Sequence, residues 1–156
     1  ANESSYFITE PTRQLYDGCC TGFFFALGSH IPKTIWRKNL PLLKFHTEAW
    51  LRESVVMMLG WEIGIRTGWE KSLGSKGKYL ERHLAPDVWN EYKSTYVDSD
   101  YDRLWESLFL FYRIFKKSAE FVAERRGFYF PQEKAANVLA FLEHVRTLPA
   151  DARRIY

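Results

Sequence analysis

Cysteine, histidine and long apolar runs are all scarce in this chain of 156 residues, and each scarcity closes off a class of function. The two cysteines, Cys19 and Cys20, are adjacent, so they form neither a disulfide framework nor a metal-ligand pair. Buried, reduced thiols in a cytosolic protein are the expectation. His30, His46, His83 and His144 share no helical face and have no carboxylate at metal spacing, which leaves no metal site. The longest uncharged run, Gly18 to Pro32, is too short and too broken by Gly, Ser and His to cross a membrane. No basic-then-apolar signal segment opens the chain. The formal charge of +3 tolerates an anionic ligand but does not argue for nucleic acid. Residue 1 is Ala, so the start is expected to be processed or cut from something longer.

What the chain does have is apolar and aromatic content. Hydrophobic residues make up 46% and aromatics 17%, enough for one domain with a real core over 1–156. Residues 4 to 9, "SSYFIT", have strand-like composition, but one short strand makes no sheet. From Thr12 onward the pattern is helical. Pro32 and Pro41 each suit the first turn of a helix and would interrupt one in progress. Trp50, Ser54, Met57, Trp61 and Ile65 recur at three- and four-residue spacing, predicting a long helix that ends near Gly68. Gly60, Gly64 and Gly68 stripe that helix, and a tight crossing with another helix is the expected reason. Pro86 and Asp87 begin a further helix. The segment 102–126 carries a polar stripe (Arg103, Glu106, Arg113, Lys117, Glu120, Glu124) and is apolar over most of the rest, which predicts a central helix. Gly127 caps it, and Pro131 opens the last helix. The fold class is all-α: a bundle of five to six helices after a short extended N-terminal segment.

Two motifs invite chemistry. The stretch "SLGSKGKYLERHL", residues 72–84, looks like a phosphate loop, but Gly77-Lys78 is followed by Tyr79 and the position five before Gly77 is Ser72. A helix precedes it where a strand is required. A connector between helices with solvated lysines is the better reading. Asp98, Asp100 and Asp102 open like a calcium loop, yet Arg103 and Phe109 stand where a glycine and an acid are needed. They read as a helix cap with excess carboxylates, with a site for a cationic ligand as the alternative. No nucleophile motif is present, and no catalytic residue is assigned.

Five segments in order, "EPTRQLYDGCC", "MMLGWEIGIRTGW", "SLGSKGKYLERHL", "YDRLWESLFLFYRIFK" and "FLEHVRTLPADARRIY", together resemble the aminoglycoside 6-adenylyltransferases, the streptomycin-modifying resistance enzymes. The resemblance covers the chain from about Glu10 to Tyr156 and implies a two-domain enzyme of which this is the helical C-terminal domain. The resemblance implies that an N-terminal nucleotidyltransferase domain, with paired aspartates for Mg²⁺ and ATP, is expected to be absent from this chain. Lys33, Arg37, His46, Arg52 and Trp61 match the family in residue type. The candidates for the nucleotide phosphate are Lys33 and Arg37, with solvated surface cations as the alternative, and those for the cationic antibiotic are Trp36 and Trp61 by stacking and Asp98, Asp100 and Asp102 by charge. Gly22 and Asn39 stand where the family tends to have glutamate. The implied function is transfer of AMP from ATP to an antibiotic hydroxyl in the cytoplasm, with this chain inactive alone. The alternative is a non-catalytic interaction module of the same descent. A missing partner domain also predicts an exposed apolar strip, with Phe23, Phe24, Phe25 and Trp36 as candidates, and self-association through it.

Overall fold

Local chemistry starts the first helix: the Thr12 hydroxyl accepts a hydrogen bond from the Leu15 N–H at 3.1 Å, relieving one of the unpaired donors of a helix start. The computed structural model describes residues 7–156. Helix α1 (Arg13–Phe25) passes through a π turn (Ala26–His30) into α2 (Ile31–Trp36), making one rod over 13–36. Pro32 therefore does not break the helix as expected. It lies in the first turn of α2, directly after the wider π turn, whose opened hydrogen-bond ladder accommodates a ring without an N–H. Pro41 does begin a new helix. Helix α3 (Leu40–Phe45) runs through a second π turn (His46–Leu51) into α4 (Arg52–Thr67), and the two π turns pack against each other.

Gly68 ends α4 in the left-handed conformation (φ 79°), its N–H bonding to the Gly64 carbonyl at 2.9 Å. The glycine stripe serves a different neighbour from the one expected. A Cβ on Gly64 would lie 2.2 Å from the Trp69 ring, and one on Gly60 would lie 3.0 Å from Leu73. The connector that follows α4 folds back over the helix, so it is this connector and not a second helix that needs the glycines.

Residues 69–79 form that connector, followed by α5 (Leu80–His83), α6 (Pro86–Lys93), α7 (Tyr101–Arg126) and α8 (Gln132–Arg146). Asp100 caps α7, its Oδ1 accepting from the Arg103 N–H at 3.0 Å. Gly127 (φ 71°) closes it. Helix α7 is central: Phe23 stacks on Phe115 with ring centroids 3.9 Å apart, and α4 and α7 form the principal helix pair. Two buried phenols tie the layers, Tyr16 to the Ala119 carbonyl at 2.7 Å and Tyr112 to the Ala135 carbonyl at 2.8 Å. The fold is all-α, and among the described residues the only extended pairing is an isolated bridge between Phe7 and Ser72. Residues 4–6 of the expected extended segment lie outside the described residues.

Candidate functional site

On α1, Leu15, Gly18, Gly22 and Phe25 follow one another at three- and four-residue steps, so they share a face. That face is turned outward: Leu15 and Phe25 are 54% and 56% exposed. A Cβ added to Gly18 or Gly22 would meet nothing within 4 Å, so the glycines leave a shallow floor. Opposite them the second rod presents Trp50, Glu53 and Met57, all exposed. Between the two rods lie two hollows. One, of about 500 Å³, is bordered by Leu15, Met57, Trp61, Leu73 and Lys76. The other, of about 490 Å³, is bordered by Gly22, Phe25, His30, Trp50 and Ser54. Glu53 borders both.

The π turns build the aromatic rim of the second hollow. His46 stacks on Trp50 with centroids 4.5 Å apart, and Phe45 meets Trp50 edge-on at 5.6 Å. His30 meets Phe25 edge-on at 5.1 Å and lies 6.0 Å from His46. Burial, then the neighbouring His30, pushes the His46 imidazole below its ordinary range, so it is neutral at pH 7. The Thr34 hydroxyl donates its proton to the His30 carbonyl at 2.8 Å and so faces His46 Nδ1, 3.5 Å away, as an acceptor.

Arg52 fixes this rim from behind. Its guanidinium takes the Glu48 carboxylate with two nitrogens, donates to the Thr95 hydroxyl at 2.8 Å, and lies 3.6 Å from the centroid of the Tyr96 ring. Burial opposes the charge, but the Glu48 carboxylate and the neighbouring Tyr92 outweigh it and raise the pKa of Arg52. Arg52 therefore locks the second π turn to the segment between α6 and α7.

Glu53 is held differently. Its only ion-pair partner among the described residues is Lys76, at 3.3 Å, and the two side chains are 56% and 82% exposed. Such a pair is worth at most about 1 kcal/mol, so the carboxylate is available for exchange. Exposed aromatic faces beside an available carboxylate suit a cation. A roomier hollow of about 620 Å³ lies along the outer flank of α7. There Arg66 pairs with Glu62 at 3.0 Å and Lys116 with Glu120 at 2.6 Å, and Arg113 and Lys117 on the same wall leave no excess of negative charge for a cation.

The residues anticipated from sequence are dispersed around this groove. Trp61 is 6% exposed and contributes a wall of the first hollow. Trp36 is half-buried and packs on the core. Lys33 is half-buried, 5.8 Å from the Tyr156 ring, and Arg37 is exposed at the end of α2. Asp98, Asp100 and Asp102 are exposed at the start of α7. Asp100 is the cap, and Asp98 accepts from the Asp100 N–H and pairs with Arg103 at 3.1 Å. None of these three aspartates borders either hollow. Of the expected apolar strip, Phe25 is exposed, but Phe23 and Phe24 are buried at 0% and 1%. The helical turn of about 100° per residue rotates the first two inward. Sequence reading missed the pairing of His30 with His46, and Glu53 altogether. Residues 72–79 do form a connector, with Gly74, Lys76 and Gly77 at positive φ. Among the described residues, no three His, Cys, Asp or Glu side chains converge as a metal site. No helix among them is long and apolar enough to cross a membrane.

The profile of a family described as streptomycin adenylyltransferase matches residues 1–145. Aminoglycoside 6-adenylyltransferases of Bacillus subtilis and Campylobacter jejuni are 29% and 28% identical over 130 and 134 residues, covering 83% and 85% of this chain but 45% and 46% of their own. The Staphylococcus aureus enzyme of the same name is 25% identical over 115 residues, 74% of this chain and 40% of its own. The crystal structure of an aminoglycoside 6-adenyltransferase from Bacillus subtilis superposes with a TM-score of 0.82 at 26% identity, over 95% of this chain and 56% of that one. The chain thus spans about half the length of the relatives it matches, and it belongs to the streptomycin adenylyltransferase family.

Proposed function

We propose that this chain is the antibiotic-side, C-terminal helical domain of an aminoglycoside 6-adenylyltransferase, and that the α1–α4 groove receives the antibiotic. The family match over residues 1–145 carries the reading. The exposed aromatic and carboxylate groups of the groove agree with it, because an aminoglycoside is a polycation with flat sugar faces.

In the complete enzyme AMP passes from ATP to a hydroxyl of the antibiotic. The reaction needs Mg²⁺ on the triphosphate, an acceptor held in line, and a base for its proton. Mg²⁺ needs only one or two carboxylates beside the phosphates, and these, with most of the nucleotide contacts, are assigned to the part of the family fold that this chain does not cover. Lys33 and Arg37, one helical turn apart, are the candidates for phosphate from this side. A cytoplasmic setting supplies ATP and keeps the free thiols of Cys19 and Cys20 reduced.

The test has two parts. Streptomycin titrated into the chain by isothermal calorimetry should bind weakly, with affinity falling steeply as salt rises. The same chain with ATP, Mg²⁺ and streptomycin should release no pyrophosphate above the enzyme-free control. Absence of binding heat at low salt contradicts the antibiotic reading. Pyrophosphate release that survives repurification contradicts the half-site reading.

A further inference from the structure

Glu53 stands where the two hollows of the groove meet, and its carboxylate is the acidic group common to both. Its partner Lys76 comes from the connector after α4, 23 residues away in sequence. Lys76 sits in a backbone conformation with φ 56°, between Gly74 and Gly77, which are also at positive φ. The connector thus delivers one ammonium to one carboxylate across the first hollow. On the other side of Glu53 are the exposed face of Trp50, three residues earlier on the same rod, and Phe25 of α1.

The geometry points to Glu53 as the residue that selects the cationic group of the antibiotic, with Lys76 as an internal stand-in that the ligand displaces. This inference rests on the proposed function and adds which carboxylate reads the charge and what it must first release. The physical case is one of competition. Lys76 is a flexible, strongly hydrated point charge, four-fifths exposed, and gains little from pairing. A guanidinium or ammonium on a rigid sugar, brought to the carboxylate with the Trp50 and Phe25 rings on its flank, makes a charge-assisted hydrogen bond and an aromatic contact together. Ligand entry then exchanges one ion pair for a better one, while the connector stays packed on α4 through Trp69 and Leu73. A role that merely tied the connector to α4 makes a different forecast: removal of either partner would act in the same direction on binding.

Calorimetric titration of streptomycin, and separately of spermidine, into the chain and its Glu53→Gln and Lys76→Met variants separates these cases. Both sites are exposed, and circular dichroism melts check that the variants fold like the parent. Glu53→Gln should weaken streptomycin binding roughly three- to tenfold at low salt, the range of a single part-exposed charge contact. Lys76→Met should strengthen it about twofold or more, and both effects should shrink at physiological salt. Streptomycin affinity that is unchanged in Glu53→Gln, or that falls in both variants, overturns the role given to Glu53 and leaves the antibiotic reading intact. Spermidine binding that depends on Glu53, with no streptomycin binding in any variant, keeps Glu53 as a cation site and overturns the antibiotic as its ligand. Binding of neither probe overturns both.

Discussion

Arg52 shows how much one side chain can fix. It is 7% exposed and serves Glu48, Thr95 and the Tyr96 ring together. Arg52→Ala should cost about 3 kcal/mol, because it removes the partner of Glu48 and empties the space under Tyr96, while the Thr95 hydroxyl keeps its bond to the Tyr92 carbonyl at 2.6 Å. Arg52→Lys should fall between, since an ammonium keeps the charge and loses the planar fork. Urea unfolding at pH 7 measures both, and equal stabilities for all three proteins would contradict the lock. The thiols make a second forecast at this scale. Burial, then the neighbouring Cys20, pushes Cys19 up to about 12. Burial pushes Cys20 up to about 11, with the Tyr16 phenol partly offsetting it and Asp17 adding to it. Both thiols stay protonated in the fold while the unfolded chain loses its protons near pH 9, so the unfolded state binds fewer protons above that pH. Their contribution is present below about pH 9 and is lost progressively as pH rises toward 12. The urea midpoint should be flat from pH 7 to about 8.5 and fall above pH 9. Native chain should also resist thiol reagents at pH 8 and react at both cysteines once unfolded.

Within the elements, the glycines divide by what surrounds them. Gly18 lies in the middle of α1 with open space beyond it, so Gly18→Ala should stabilise the chain by about 0.5–1 kcal/mol. Gly64→Ala should instead destabilise by about 1–3 kcal/mol, because its Cβ would meet the Trp69 ring. Thermal melts that move the same way for both variants would contradict this packing account. The helices most open to sequence reading were those whose ends are set by neighbours in the chain. The Asp100 cap, the left-handed closures at Gly68 and Gly127, and the polar stripe of α7 are local chemistry, and all are where the pattern predicts. Pro32 was not legible. Whether a proline breaks a helix or rides on a π turn depends on what packs around the turn, here a second π turn from a distant segment. The groove was hidden for the same reason. Phe25 and Gly22 come from one rod and Trp50 and Glu53 from the other, so no spacing along the chain could pair them.

At the scale of the whole molecule, one flank of the chain combines exposed Leu15, Phe25, Trp50 and Met57 with two hollows, and its relatives are about twice as long. We expect the uncovered part of the family fold to close over this flank, and the isolated chain to self-associate through it at high concentration. Light scattering should show mass rising with concentration, with Phe25→Asp suppressing the rise. A clean monomer at high concentration would remove this use of the flank. The central claim is that the α1–α4 groove is where the antibiotic binds. Hydrogen–deuterium exchange with and without streptomycin at low salt tests it most directly. The account predicts protection confined to the outward face of α1, the second π turn and the start of α4. Protection centred on residues 98–102, or on the flank of α7, with the groove unchanged, would contradict it.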